Sequence, residues 1–251
     1  MGKCKEIEIK VIPAKIANDF VKKHHYSGKV VPNSTLHFGA FLGGGLHGVL
    51  SYGNSMDKTK TMRLVEGTEW NGFLELNRMA FDDFLPRNSE SYCIGATLRM
   101  IKKNAPHIKW VISFADGSQC GDGTIYRASN FVLTGIRENK SIIEMPSGQR
   151  LCQITISAHP DAIELKKECA INNIPFKRYT VGDWVKMGAK FVEGYQLRYV
   201  YFLDKKYKDK LTVPILPFSK IDEMGAGMYK GERISQSERH EKKTTNGKKN
   251  E

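Results

Sequence analysis

The sequence predicts an α/β protein in which helices flank a central mixed sheet. Apolar residues recur with the period of strands in some segments and of helices in others, and the two kinds of segment interleave along the chain. The stretch 109–131 shows the pattern best, because an apolar strand ends at an aspartate, a glycine-rich loop follows, and a helix then begins. Ligands bind at the carboxyl ends of strands in such sheets, so a site is expected there.

The first predicted elements are a strand and a helix. Alternating apolar and polar residues predict a half-buried strand over 5–12, and Pro13 suits the first turn of a helix. Apolar residues at helical spacing continue as far as His24. Gly28 is expected to end this helix by adopting a left-handed conformation.

Three further strands are predicted before residue 82. Strands over 36–41 and 48–52 flank three consecutive glycines, 43–45, which accept the positive φ of a hairpin turn. A phosphate-binding loop would need a lysine and a helix after these glycines, and the sequence has neither. The third strand is predicted over 73–81.

A helix is expected from Asn88 to about Lys103. Asn88 or Ser89 is a suitable N-cap, Glu90 complements the helix dipole, and Pro106 follows the end. A strand at 109–115 and a helix at 124–132 come next, and Gly135 is expected to begin a turn.

The later part of the chain is predicted as a strand at 149–156, a helix at 160–171 and a strand at 199–203. Apolar residues become scarce after Phe218. We therefore expect one folded domain over 1–218 and a basic, disordered tail over 219–251.

The chain is strongly basic. Its 251 residues include 39 lysines and arginines against 27 acidic residues, which gives a net charge of +12. Such an excess favours a polyanionic partner such as double-stranded DNA, although a basic surface without a partner is the alternative. The five cysteines are widely spaced and form no CxxC pair, and no apolar run is long enough to cross a membrane. A cytoplasmic protein that is not bound to a membrane is expected, with a homodimer among the possible oligomeric states.

Two segments carry the first candidate residues. His24 and His25 are followed by Tyr26 and Ser27, a polar cluster where a core would hold apolar groups. An imidazole there serves as a general base, as a metal ligand, or simply as a cap at the helix end. Asn77 and Arg78, which we place at the end of the strand predicted over 73–81, are candidates for contact with a DNA phosphate or base edge.

The strand–loop–helix stretch carries two more candidates. Asp116 ends the strand, where it can orient a histidine, bind a metal or cap the turn that follows. Tyr126 lies early in the next helix, where it can act as an acid or pack beneath the sheet.

Four motifs together resemble the Mom family of bacteriophage DNA-modification proteins, a branch of the GNAT acyltransferase fold. They are HHYSG, ELNRMAFDD, PRNSES and SFADxxQxxxGTIYRASNF, and they lie between residues 16 and 135. The resemblance implies a GNAT-like mixed sheet and transfer of a carbamoylmethyl group to the exocyclic amine of adenine in double-stranded DNA. Such modification protects phage DNA from host restriction enzymes.

The resemblance also implies roles for individual residues. His25, Tyr26, Asp116 and Tyr126 are the implied catalytic group, and the first three are the implied ligands of an iron ion. The donor, acetyl-CoA or another small acyl or aminoacyl compound, is expected at Arg87, Asn88, Ser89 and Ser91. The chain departs from the GNAT pattern there, because the Q/R-x-x-G-x-G/A signature is absent, and it has Cys120-Gly121 where the Mom pattern has glycine and histidine.

Other functions fit the sequence less well. An adenine methyltransferase needs a DPPY-like loop and a zinc deaminase needs an HxE motif with PCxxC, and the sequence contains neither. An N-acetyltransferase that acts on proteins or small molecules is the main alternative. A DNA-binding module without catalysis is the other.

Overall fold

The computed structural model describes residues 3–118, 121–229, 232–235 and 238–239. The chain divides into two compact units. The first unit comprises residues 1–115, 123–135 and 198–218, and the second comprises 116–122, 136–197 and 219–251.

Strands and helices alternate along much of the chain. The strands are β1 (Glu8–Val11), β2 (Ser34–Leu42), β3 (Gly45–Gly53), β4 (Phe73–Phe81), β5 (Trp110–Asp116), β6 (Val132–Glu138), β7 (Ile142–Glu144), β8 (Arg150–Cys152), β9 (Lys190–Phe191), β10 (Tyr195–Phe202), β11 (Met228–Tyr229) and β12 (Glu232–Arg233). The helices are α1 (Ala14–His24), α2 (Lys58–Met62), α3 (Ser89–Asn104), α4 (Thr124–Ala128), α5 (Gln153–Ala158), α6 (Ile163–Ile171), α7 (Val181–Lys186) and α8 (Ser219–Glu223), with 3-10 helices at Lys3–Glu6 and Lys205–Lys210.

The main sheet is mixed, which confirms the predicted fold class. Its strand order is β1-β2-β3-β4-β5-β10-β6. Strands β1 to β4 pair in antiparallel fashion, whereas β4 and β5 are parallel. The hairpin between β2 and β3 turns at Gly43 and Gly44, which both have positive φ as the sequence predicts.

Helices α1 and α3 cover opposite faces of this sheet. Ala17 and Val21 of α1 pack in one cluster with Val49 of β3. The hydroxyl of Tyr52, also in β3, lies 2.7 Å from the hydroxyl of Thr97 in α3. Side chains alternate between the faces of a strand, so residues 49 and 52 point to different sides.

A bulge in β4 redirects its side chains. Ser51 pairs with Arg78, but the next residue of β3, Tyr52, pairs with Leu76, so Asn77 is an extra residue in β4. Arg78 pairs with Ser51 and therefore lies on the same face as Val49, the face covered by α1. Strand β4 pairs with β5 only through Phe73–Glu75.

The second unit has its own apolar core and differs from the prediction in one helix. The predicted strand over 149–156 ends at Cys152, and α5 occupies the rest. The alternation of Ile154 and Ile156 suited a strand, but Ile156 is buried in the core while Ile154 is 44% exposed. Tertiary packing therefore overrides the β propensity of this short run.

Strand β6 runs through Gly135, where the sequence predicts a turn. The guanidinium of Arg198 lies over this glycine, and a Cβ there would come within 3.2 Å of it. The missing side chain makes room for a neighbour rather than for a turn. The helix predicted over 124–132 is also shorter, because α4 ends at Ala128.

The segment predicted as a disordered tail contains regular structure in its described part. Helix α8 and strands β11 and β12 lie within it, and Ile221, Ala226 and Met228 are buried. Residues 240–251 lie outside the described residues, and the domain boundary at residue 218 stays a prediction. Among the described residues, no helix combines the length and apolar character needed to cross a membrane.

Candidate active site

The candidate site starts where α1 ends. His24 completes the helix and its ring stacks on Phe20, with 4.3 Å between the ring centres. His25 is the C-cap, and Gly28 then turns with a φ of 59°, as predicted for a helix-terminating glycine. Of the two histidines, His25 is therefore the one that leaves the helix.

The ring of His25 is fixed by the residue two positions later. The backbone N–H of Ser27 donates to Nδ1 of His25 at 3.1 Å, and the Ser27 hydroxyl lies 2.8 Å from the same nitrogen. A nitrogen that accepts a backbone N–H carries no proton of its own, so the neutral ring holds its proton on Nε2. The site thus presents an N–H donor at Nε2.

The surroundings also keep this ring uncharged. Burial, together with the positive charge of Arg78, lowers the pKa of His25 from 6.5 to about 4. Both causes disfavour the imidazolium, so the ring is neutral at physiological pH. Tyr26 lies against it with ring centres 4.3 Å apart and is 56% exposed. An exposed phenol beside a neutral imidazole is suited to contact with a flat ligand.

Arg78 fastens the loop that carries His25. Its Nε donates to the carbonyl of Lys29 at 3.0 Å, and Nη1 donates to the carbonyl of Asn77 at 3.0 Å. Both acceptors are uncharged, so these two bonds do not neutralise the guanidinium.

The side-chain amide of Asn77 makes hydrogen bonds within the protein. It is 8% exposed, its Oδ1 accepts the hydroxyl of Ser34 at 3.1 Å, and its Nδ2 donates to the carbonyl of Asn54 at 3.3 Å. The amide joins β2 to the loop after β3. Contact of Asn77 and Arg78 with DNA stays a prediction.

Glu75 is a candidate that sequence reasoning did not select. Burial raises the pKa of its carboxyl, against the opposing effects of the Ser55 and Asn77 hydrogen bonds and the Arg78 charge. The sequence feature that could have identified Glu75 is its position as an acidic residue within the largely apolar strand FLELNRMAF. A partly buried carboxylate with a raised pKa is a stronger base than an exposed one.

Tyr126 lies on the other face of the sheet. It is 7% exposed, and its ring packs 5.3 Å from that of Tyr199 and 5.4 Å from that of Phe131. Burial raises the pKa of Tyr52 and the nearby Tyr126 phenol raises it further, which places Tyr126 on the side covered by α3. The sheet therefore separates Tyr126 from His25.

Asp116 belongs to the second unit, where its carboxylate caps its own loop. Oδ1 accepts the backbone N–H of Ser118 at 3.0 Å and the hydroxyl of the same residue. This is the turn-capping role that the sequence left open.

The iron site predicted at His25, Tyr26 and Asp116 stays a prediction. His25 and Tyr26 belong to the first unit and Asp116 to the second. Within the described residues, no group of three or more His, Cys, Asp or Glu side chains could hold a metal ion. We therefore derive no step through iron.

The N-terminus of α3 holds the residues predicted to bind the donor. Asn88 occupies the N-cap position with a φ of 71°, but its side chain makes no cap hydrogen bond, contrary to prediction. Ser89 is buried and donates to the carbonyl of Pro86, and Ser91 donates to the carbonyl of Asn88 at 3.1 Å. Arg87 stands just before this helix end, and its carbonyl accepts the thiol of Cys4.

The fold and the site together define an α/β protein with a polar cluster on one face of a mixed sheet. The chain belongs to the Mom protein family, whose sequence profile matches residues 6–220. It is 39% identical over 155 residues to the methylcarbamoylase Mom of Escherichia phage Mu, an alignment that covers 61% of this chain. The chain thus spans 63% of the length of that relative.

Two of the solved structures that resemble this chain are the following. An IAA acetyltransferase from Bacillus cereus ATCC 14579 is 11% identical with a TM-score of 0.41, over 78% of this chain and 99% of that one. A GNAT family acetyltransferase from Elizabethkingia anophelis with acetyl-CoA bound is 11% identical with a TM-score of 0.42, over 78% and 98%. At these scores, the chemistry of the site has to come from the residues of this chain.

Proposed function

We propose that this protein is a DNA-modifying transferase that adds a carbamoylmethyl group to the exocyclic amine of adenine in double-stranded DNA. Membership of the Mom family and the similarity to a methylcarbamoylase support this proposal. The observation that carries it is the meeting of two motifs. Arg78 of the ELNR motif bonds the loop of the HHYSG motif and acts electrostatically on both His25 and Glu75.

The transfer reaction makes one bond, breaks another and releases a proton. A bond forms between N6 of adenine and the methylene carbon of the donor, while the bond from that carbon to its leaving group breaks. The leaving group departs with the electron pair, and the amine loses one proton to a base. The protein must hold the carbamoyl group, accept the proton and present the adenine.

His25 is suited to hold the carbamoyl group. Its Nε2–H is a hydrogen-bond donor on a ring that Ser27 fixes in orientation. A neutral imidazole polarises a carbonyl oxygen without carrying a charge that a substrate would have to match. We assign it this role in place of a general base.

Glu75 is suited to accept the proton, because its pKa is raised by burial. The adenine has to leave the duplex to reach residues on the face of a sheet, and the exposed ring of Tyr26 offers a surface on which it can stack. The positive charge of the chain attracts the phosphate backbone.

The donor in this step has to be a carbamoylmethyl compound with its leaving group on the methylene carbon, because an acyl donor would react at its carbonyl carbon instead. We place it near Arg87, Asn88 and Ser91 at the start of α3. The backbone N–H groups of the first helical turn and the arginine together favour an anionic part of such a molecule. The reaction takes place in the cytoplasm of the host, where phage DNA is exposed to restriction enzymes.

The proposal is tested by mass spectrometry of nucleosides from the DNA of cells that express the protein. We expect deoxyadenosine in which one hydrogen is replaced by a carbamoylmethyl group, and we expect Glu75→Gln to remove this product while the protein stays folded. Acetylated proteins or small molecules with unmodified adenine would favour an N-acetyltransferase. Unmodified adenine with tight DNA binding would favour a binding module.

A further inference from the structure

We infer that a groove at one end of the main sheet binds the phosphate backbone of double-stranded DNA and holds the substrate during modification. The groove lies where α3 and β10 end and β5 begins, and its lining residues all belong to the first unit. The inference rests on the proposed function for the choice of DNA as the partner. The contact with DNA can nevertheless be tested without activity.

The lining of this groove is basic. The groove has a volume of about 370 Å³, and four lysines and a single acidic residue contribute to its walls. The lysines are Lys102, Lys109, Lys205 and Lys206, and the acid is Asp204. A cavity with this composition is suited to a ligand that carries several negative charges.

The positive charge is concentrated in the two stretches of chain that form the groove. Residues 102–109 and 203–210 are described in full, and together they contain seven lysines and two aspartates. The excess is thus five positive charges in 16 residues, compared with twelve in the 251 residues of the whole chain. The groove is therefore a place where the charge of the chain gathers and not an average piece of its surface.

Most of this charge is not neutralised within the protein. The ammonium group of Lys109 lies 3.9 Å from a carboxylate oxygen of Asp204, whose other oxygen accepts the backbone N–H of Lys206 at 3.1 Å. In the part of the chain that the structure describes, the ammonium groups of Lys102, Lys205 and Lys206 form no ion pair. Three cations are thus left for an external anion.

The backbone beneath these lysines is fixed by the core. The N–H of Asp204 donates to the carbonyl of Lys109 at 3.0 Å, which joins the two stretches. Ile108 and Leu203 are 6% and 3% exposed. The lysine side chains therefore start from a rigid frame, while their flexible stems let the charged ends adjust to phosphate positions.

Strand register places the groove near Glu75, the residue to which we assign the proton. Glu75 of β4 pairs with Ile112 of the parallel strand β5. Lys109 precedes Ile112 by three residues, which corresponds to about 10 Å along the strand. An adenine that leaves the duplex stays attached to its backbone, so the phosphates beside it have to lie close to the group that accepts its proton. A DNA backbone held in the groove meets this requirement.

The extent of the basic surface favours a polymer over one small anion. Lys103, Lys208 and Lys210 are exposed and lie in the same two stretches, so they extend the positive surface beyond the groove. A single phosphate has room for only one or two lysines. Double-stranded DNA presents one negative charge per about 1.7 Å of its axis and can engage them all.

The test compares two triple variants that lose the same charge at different places. The groove variant replaces the three groove lysines that form no ion pair, and the control variant replaces three exposed lysines of the second unit. Each keeps a net charge of +9, because three of the twelve excess positive charges are removed. The substitutions are Lys102→Gln, Lys205→Gln and Lys206→Gln in the groove variant, and Lys140→Gln, Lys167→Gln and Lys190→Gln in the control variant.

Binding of the full-length proteins to duplex DNA is measured by filter retention at several salt concentrations. We expect the groove variant to bind roughly 10- to 100-fold more weakly at about 0.1 M salt, with a salt dependence reduced by about two to three phosphate contacts. The control variant should stay within about threefold of the wild type, and the fraction of adenine modified in cells should follow the same order. Thermal unfolding checks that both variants are folded.

A second measurement locates the contact without any substitution. Amide hydrogen exchange of the wild type is compared with and without duplex DNA, and we expect DNA to slow exchange over 203–210 but not over 163–171. The inference is overturned if these two segments respond alike, if both triple variants lose the same affinity, or if the groove variant binds and modifies DNA as the wild type does. If the wild type binds DNA through the groove but modifies no adenine, the proposed function fails and the assignment of the groove stands.

Discussion

Two loops of this protein are each fastened by an arginine, and the two fastenings have different electrostatic consequences. Arg78 bonds the carbonyl of Lys29, an uncharged acceptor, in the loop after α1. Arg239 bonds the carboxylate of Asp122 in the loop after β5. The first guanidinium retains a net charge that acts on its neighbours, whereas the second is neutralised by its partner.

The first arginine can therefore change pKa values as well as hold a loop, whereas the second can only hold a loop. Replacement of Arg239 should move a loop and leave the pKa values of the candidate site unaffected. Replacement of Arg78 should both release the loop and change the protonation equilibria of His25 and Glu75, because its charge acts on both groups.

The largest effect is expected from His25, the residue that the first loop carries. An asparagine can accept from the N–H of Ser27 as Nδ1 does, but it has no donor at the position of Nε2. A glutamine can place an N–H near that position. We expect His25→Asn to lower adenine modification by roughly 10²–10³-fold and His25→Gln to retain part of the activity.

The control for His25→Asn and His25→Gln is DNA binding, measured by filter retention at several salt concentrations. Both variants should bind as the wild type does, because charge is unchanged at neutral pH. Equal loss of modification in the two variants would point to a general base at His25 instead of a hydrogen-bond donor.

Arg78→Gln should have the next largest effect. The glutamine keeps a donor for the carbonyl of Lys29 but removes the positive charge, so the pKa of His25 should rise towards its ordinary value. Modification should fall by up to roughly 10²-fold, since the loop is also less well placed. The pKa is measured by following the His25 ring resonances with pH. An unchanged pKa would show that burial alone sets it.

A smaller effect is expected in the pH dependence of stability. The folded protein binds the His25 proton less tightly than the unfolded chain does, so acid favours unfolding through this group. The contribution is absent above the ordinary pKa of 6.5 and grows as the pH falls towards about 4. The free energy of unfolding should thus decline less in His25→Asn than in the wild type over this range.

Urea titrations at pH values between 6.5 and 4 measure this difference directly. The raised pKa of Glu75 acts in the opposite sense, since it favours the folded state in acid, but it is common to both proteins and cancels in the comparison. Parallel curves for the two proteins would rule out a depressed pKa at His25.

Much of the fold follows from local sequence. The glycine hairpin, α1 with its terminating Gly28, β4 and α3 are all near their predicted positions, because each depends on nearby residues. Helix α5 and the passage of β6 through Gly135 could not be predicted in this way. Both depend on distant residues, the core around Ile156 and the guanidinium of Arg198.

The candidate site also has features that depend on nearby residues and features that depend on distant ones. The sequence identified His25, Tyr26 and Arg78, which the structure brings together. The tautomer of His25 depends on the backbone at Ser27, and the face occupied by Tyr126 depends on β3 and α3, so neither could be read from spacing. Asp122 and Arg239 are 117 positions apart in the chain, and only the folded protein shows that they pair.

The central claim is that a neutral imidazole, fixed by Ser27, presents Nε2–H to the substrate. Nitrogen-15 chemical shifts of the His25 ring measure this most directly, because protonated and unprotonated ring nitrogens resonate far apart. We expect a protonated Nε2 and an unprotonated Nδ1 at neutral pH, unchanged at pH values well below 6.5. A ring protonated on Nδ1, or one that becomes charged near pH 6.5, would contradict it.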